Sequence, residues 1–211
     1  MSCASGLWFS ICLLVLYALA ELSDEVLEQE AFAFDKAILL YLHQHATPML
    51  DALMIHITRL ADPKTVVPIA IAVFLFLRWR HHRLEARFFA LNALGGVVLS
   101  YGLKLIFNKP RPQLWSQMIS EESFSYPSGH ALGSVVIYGF LAHLLAYLYP
   151  PYCFLFYGIA GVLIVAIGFS RLYLGVHWPT DVLAGYGVGF LWVSVCLMLM
   201  RLQKIKDSDP A

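Results

Sequence analysis

Three short runs of residues hold most of the chemistry this chain can do. Lys104 is followed after six residues by Arg111-Pro112. Pro127-Ser128-Gly129-His130 comes next. Ser170-Arg171 is followed after five residues by His177, and after three more by Asp181. Lys104, Arg111 and Arg171 bring three positive charges, enough to answer a phosphate dianion with one to spare. The arginine fork matches phosphate oxygens two at a time, and a lysine at a helix end acts as a movable point charge. Ser128 and Gly129 are expected to open a helix, where free backbone N–H groups favour an anion and a residue without Cβ lets it come close.

The imidazoles supply the reaction. Pro179 is expected to start a helix, which puts Asp181 in its first turn, within reach of one ring nitrogen of His177. A carboxylate there fixes the tautomer and leaves the other nitrogen free to attack phosphorus. His130, beside the cradle, can protonate the departing alkoxide and later activate water. Taken singly the runs say little: the first can be a basic helix end, the second a turn with a cap. Together, in this order and at one membrane level, they point to a phosphate pocket with a histidine nucleophile.

The elements that must position these groups are those of a membrane protein. Of 211 residues, 60% are hydrophobic and 13% charged, and the mean hydropathy is +0.70. A soluble domain is about 45–50% apolar and about 25% charged, so this chain has too little polar surface for a water-soluble globule. Its 14 Lys+Arg balance 14 Asp+Glu, which excludes a nucleic-acid-binding polycation. Apolar stretches at Met1–Ala20, Val66–Trp79 (interrupted by Pro68), Phe88–Phe107, Ala131–Tyr149, Tyr152–Phe169 and Val182–Met200 give six spans, the second of them short with a start that reaches back toward Asp62. The expected fold is an all-α, polytopic six-transmembrane-helix bundle, one membrane-embedded domain over residues 1–211.

Within it, residues 1–20 read as the first span rather than a cleaved signal peptide, because no basic residue precedes Leu7. Residues 21–65 read as an extracytoplasmic amphipathic segment. The acidic run Glu21–Glu30 would be a solvated face. Thr47-Pro48 would then cap a helix whose Leu50, Leu53, Met54, Ile57 and Leu60 make an apolar stripe, with Asp51, Thr58, Arg59 and Asp62 on other faces. Residues 66–200 carry the other five spans and the motifs, and 201–211 a tail. Arg78, Arg80, Arg83 and Arg87, with Arg201, Lys204 and Lys206, fall on one side, which the positive-inside rule makes cytoplasmic. Both termini are then inside and all three motifs outside. Gly185 and Gly189 stand at close-packing spacing. Cys3, Cys12, Cys153 and Cys196 lie in apolar surroundings as small packing residues. Glu121-Glu122 have no partners that would make a metal site, Trp115, Phe124, Tyr126 and Tyr173 flank the cradle as interfacial aromatics, and His43, His45 and His56 read as solvated at the outer interface.

Written as K-x6-R-P, P-S-G-H and S-R-x5-H-x3-D, the clusters resemble the signature motifs of the type-2 phosphatidic acid phosphatase superfamily, matched at every defining position from about Leu103 to Asp181. The resemblance implies a metal-independent membrane phosphatase with a six-helix core and no cofactor. It also implies His177 as nucleophile, Asp181 as its orienting partner, His130 as general acid, and Lys104, Arg111, Ser128, Gly129 and Arg171 as phosphate ligands. The expected activity is hydrolysis of a lipid phosphate monoester or diphosphate at the outer face of a cell membrane, such as phosphatidic acid, phosphatidylglycerol phosphate or an isoprenoid diphosphate like undecaprenyl diphosphate. The expected partners are that lipid and the bilayer, with no nucleic acid and no obligatory protein. A lipid phosphotransferase and a non-catalytic lipid-binding protein are the alternatives; the intact His130, His177 and Asp181 count against the latter.

Overall fold

In the computed structural model, which describes residues 3–27, 33–119 and 121–208, every regular element is a helix. They run α1 (Cys3–Leu27), α2 (Ala33–Gln44), α3 (Pro48–Arg59), α4 (Pro63–Trp79), α5 (Arg83–Phe107) and α6 (Gly129–Ser134). A π-helical turn (Val135–Gly139) continues α6 into α7 (Phe140–Leu148), and α8 (Cys153–Tyr173) and α9 (Pro179–Ser208) complete the chain. Among the described residues six stretches are long and apolar enough to cross a membrane: α1, α4 together with α3, α5, α6 through α7, α8 and α9. Met1, Glu28–Glu30 of the acidic run, and the end of the tail from Asp209 lie outside the described residues.

The surface is apolar where a soluble protein's would be polar. Leu7, Phe9, Leu14, Val98, Leu105, Phe154, Val162 and Met198 are all more than half exposed, as suits a bilayer solvent. Inside, Phe89 of α5, Leu132 and Val136, Phe140 and Leu144 of α7, and Cys196 of α9 form a closed cluster. Lipid tails are as apolar as leucine, so the helices are held by close packing rather than by escape from water. The two glycines at close-packing spacing do that work here. A Cβ on Gly185 would lie 2.6 Å from the Ser128 carbonyl oxygen, and one on Gly189 3.0 Å from that of Leu132. Helix α9 thus meets α6 backbone to backbone.

Several boundaries differ from the sequence reading. Helix α1 runs seven residues past Ala20 because its last turns have something to pack on: Val26 is buried with Tyr126 and Ala184, and Ser23 Oγ lies 3.0 Å from Tyr126 Oη. Those turns are therefore not a purely solvated face. Helix α3 starts as expected, with Pro48 at its first position and Thr47 Oγ1 accepting from Leu50 N–H at 3.3 Å. Its buried side, however, carries Met54 and Thr58, while Leu50, Leu53 and Leu60 stay exposed. Asp51 and Thr58 face α8, where Tyr173 Oη donates to Asp51 Oδ1 at 2.8 Å and Arg171 donates to Thr58 Oγ1 at 2.7 Å. Helix α5 begins at Arg83, and its Glu85 pairs with Lys204 of α9 at 2.8 Å.

Candidate active site

The three motif runs lie at one end of the bundle, where α5 and α8 finish and α6 and α9 begin. Local sequence explains how they arrive. Gly175, at φ 68, ends α8 in a Schellman turn: its N–H donates to Leu172 O at 3.0 Å and that of Val176 to Arg171 O at 3.2 Å. The chain turns and delivers His177 just before α9. Pro179 opens α9, and Asp181 reaches back to accept from Trp178 N–H at 2.8 Å, the carboxylate half of a capping box. That cap leaves Asp181 Oδ2 at 3.5 Å from His177 Nδ1. The second and third runs are then tied together, Ser128 N–H donating to Asp181 O at 2.9 Å.

His177 is buried, with Arg111 Nη1 at 3.1 Å from its Nε2. A guanidinium only donates, so Nε2 accepts and the ring proton sits on Nδ1. Nδ1 faces Ser125 Oγ at 3.3 Å, and Ser125 in turn donates to Asp181 Oδ2. Burial pushes His177 down to about 3, helped by Arg171 and Arg111 and opposed by Asp181. It is a neutral imidazole, proton held from behind, with a lone pair in front. Asp181 also takes Lys109 Nζ at 2.9 Å. Lys109 donates at 3.0 Å to Thr180 Oγ1, whose own proton goes to Asp35 of α2 at 2.7 Å. Burial raises Asp35 against the pull of Thr180 and Lys109.

The cations gather on the loop between α5 and α6. Lys104 Nζ donates to Ser123 Oγ at 3.2 Å and to the Phe124 carbonyl. Arg111 donates to Ser123 O and to Val176 O, both at 2.7 Å. Arg171, buried, donates to Thr58 and to Glu121, and its Nε is buried without a hydrogen-bond partner among the described residues. Glu121 lies between the two arginines, its other oxygen 3.6 Å from Arg111. Burial pushes the Glu121 carboxyl up, but Arg171 and Arg111 outweigh it and hold it below the usual range. In the sequence Glu121 has no evident partner; the fold supplies two.

A cavity of about 560 Å³ leads away from these groups, within the usual size for a ligand site. Lys104, Arg111, Gly129, His130 and His177 line its polar end, and α4 and α5 its apolar walls. From Lys104 to Phe89 the α5 wall runs about 22 Å, deeper than one leaflet's half of a ~30 Å hydrocarbon core. Its lips, including Val67, Ile71, Leu94, Val97 and Tyr101, are all more than half exposed, so the groove opens sideways between α4 and α5. Arg171 lines a smaller neighbouring cavity of about 160 Å³ with Thr58, Arg59, Asp62 and Glu121.

Of the residues the sequence points to, Lys104, Arg111, Gly129, His130 and His177 thus share one cavity. Asp181 stands directly behind His177, and Arg171 stands across Glu121. Ser128 is buried as the cap of α6, its Oγ accepting from Ala131 N–H at 3.5 Å. A Cβ on Gly129 would meet Ser100 Oγ at 3.0 Å. Ser125, Lys109, Glu121, Asp35 and Asp62 complete the surroundings without belonging to any motif, and sequence reasoning misses them as site residues. Ser125 and Lys109 lie two residues before the motif positions Pro127 and Arg111, a closeness that is the one signal in the sequence for them.

A family model described as the PAP2 superfamily matches residues 85–204. The chain is 32% identical over 151 residues to phosphatidylglycerophosphatase B of Bacillus subtilis, covering 68% of this chain and 72% of that protein. It is 27% identical over 169 residues to an undecaprenyl-diphosphatase of Sulfolobus acidocaldarius, covering 79% of this chain and 78% of the other. Its fold superposes on the crystal structure of a transmembrane PAP2-type phosphatidylglycerolphosphate phosphatase from Bacillus subtilis with a TM-score of 0.82 at 26% identity, over 89% of this chain and 94% of that one.

Proposed function

Because the chain belongs to the PAP2 superfamily and is a membrane lipid phosphatase, we propose that it is a single-domain hydrolase of lipid phosphate monoesters, working through a phosphohistidine on His177 at the outer face of the membrane. The observation that carries this reading is the placement of the neutral His177 Nε2 at the polar end of a lipid-sized groove, with Arg111 beside it and Asp181 behind.

In the first step Arg111 Nη1 passes from Nε2 to a phosphate oxygen, and the freed Nε2 lone pair attacks phosphorus as the bond from phosphorus to the lipid oxygen breaks. The departing oxygen keeps the electron pair and takes a proton from His130. Asp181 and Ser125 hold the Nδ1 proton and steady the positive ring. Lys104, Arg111 and Arg171, with the Gly129 backbone, carry the equatorial oxygens, Arg171 and Arg111 exchanging Glu121 for phosphate. In the second step water attacks phosphorus and gives a proton to His130. The phosphorus–nitrogen bond breaks and its pair returns to Nε2, releasing phosphate. No cofactor enters the scheme. The outer-face assignment rests on Arg78, Arg80, Arg83, Arg87, Arg201, Lys204 and Lys206 at the end of the bundle away from the site.

The groove's single polar end and the likeness to phosphatidylglycerophosphatase B favour a glycerolipid monoester. Likeness to the undecaprenyl-diphosphatase supports an isoprenoid diphosphate as a second reading. Purified protein tested on phosphatidylglycerol phosphate, phosphatidic acid and undecaprenyl diphosphate should release inorganic phosphate fastest from a glycerolipid. Quenching in alkaline detergent should trap a base-stable phosphoenzyme that is lost on acidification, and His177→Ala should lose both by at least about 10³-fold, in line with loss of a nucleophile. Full activity in His177→Ala would overturn the mechanism, and a preference for the diphosphate would select the second reading.

A further inference from the structure

His130 has a carboxylate partner of its own. Asp62 is the residue before Pro63 and caps α4 with extended backbone, φ −65 and ψ 145. An aspartate at that position ordinarily turns its carboxylate onto the first free N–H groups of its helix. Asp62 does not: its side chain makes no cap bond, although its carbonyl accepts from Thr65 and Val66 at 2.9 Å. Its Oδ1 lies instead 2.8 Å from His130 Nε2, on a different helix and 68 residues away. The imidazole is largely enclosed, and Asp62 reaches it from the wall of the smaller cavity that it shares with Arg171 and Glu121.

A carboxylate only accepts, so this contact places a proton on Nε2 and reserves Nδ1 for the reaction. It also stabilises the positive charge the ring carries before it gives a proton away. The two histidines then form a matched pair with opposite nitrogens in use: His177 backed at Nδ1 by Asp181 and reacting through Nε2, His130 backed at Nε2 by Asp62 and reacting through Nδ1.

We propose that Asp62 is a positioning residue for leaving-group protonation, holding His130 so that Nδ1–H meets the lipid oxygen as its bond to phosphorus breaks. This rests on the assignment of His130 as the acid in the mechanism above. In the balanced step, the proton leaves Nδ1 for the lipid oxygen, the electron pair of the broken bond stays on that oxygen, and His130 becomes neutral until water returns a proton in the next step.

The test is leaving-group dependence, read as kcat/KM because that constant reports the step in which the lipid oxygen departs. A short-chain alkyl phosphate needs the proton; p-nitrophenyl phosphate, whose phenoxide leaves unaided, does not. Asn caps a helix as well as Asp, so Asp62→Asn keeps the α4 cap and removes only the charge. It should lower alkyl phosphate turnover at least about 30-fold, a part of the roughly 10²–10⁴-fold that general acid catalysis supplies, and p-nitrophenyl phosphate turnover less than about fivefold. Added to a His130→Ala background, Asp62→Asn should cost less than about twofold more, since the two residues act as one unit. Equal losses on both substrates, or losses that multiply in the double variant, would overturn the role. Thermal unfolding in detergent checks that each variant folds, and an unfolded Asp62→Asn would itself assign Asp62 to scaffolding and overturn it. A wild type inactive on every lipid phosphate would sink the mechanism above and this role with it, whereas an active wild type with an unselective Asp62→Asn sinks this role alone.

Discussion

At the scale of single residues, the site depends on a histidine that the protein keeps uncharged. His177 is buried and pushed down to about 3, chiefly by burial, against about 6.5 for a free imidazole. Between those two values the unfolded chain binds a proton that the folded chain refuses, so this residue's contribution makes stability rise with pH across that window and fall as the solution is acidified. The thermal midpoint in detergent is expected to drop between about pH 6.5 and about pH 4.5, and His177→Gln, which cannot titrate, should flatten part of that drop. An unchanged slope would mean the imidazole is charged in the fold. The residues legible in sequence are those whose chemistry lies at short, fixed spacing, as with His177 and Asp181 four positions apart. Their supports are joined by folding alone: Asp62 reaches across 68 residues to His130, Lys109 across 72 to Asp181, and Thr58 across 113 to Arg171. No pattern of spacing announces such pairs.

At the scale of elements, hydropathy finds every span but misplaces several ends, because ends are set by partners. Helix α1 continues to Leu27 because Val26 and Ser23 find Tyr126, and α3 buries Met54 and Thr58 because α8 presents Tyr173 and Arg171. The π turn at Val135–Gly139 has no sequence signal at all. Such a turn frees a carbonyl from the helical ladder, and the buried Asn92 of α5 donates to Val136 O at 2.7 Å. The groove beside it can be tested through Gly133, which lines the cavity and where, apart from its chain neighbours and the nearby backbone of its own helix, a Cβ would have no described atom within 4 Å. Gly133→Leu should leave the fold intact and gain helix propensity, yet fill the tail channel. Its kcat/KM for a long-chain lipid phosphate should fall about tenfold or more, roughly 1.4 kcal/mol, while a short-chain soluble phosphate is turned over within about twofold of wild type. Equal effects on both would place the tail elsewhere.

At the scale of the whole molecule, six alternating spans put every motif-bearing helix end on one side, which is why clusters scattered from Lys104 to Asp181 can be read as one pocket. The proposal that this side is the outer one rests on charge. A cysteine-free background carrying Ser116→Cys in the exposed loop before the site should react with a membrane-impermeant maleimide in intact cells, and one carrying His81→Cys in the turn between α4 and α5 only after permeabilisation. The reverse pattern would turn the protein over. The sideways mouth between α4 and α5 has a consequence for what this enzyme experiences as concentration. A substrate that slides in from the bilayer is counted per unit of membrane area, so inert lipid mixed into the film dilutes it, while extra buffer around the film does not.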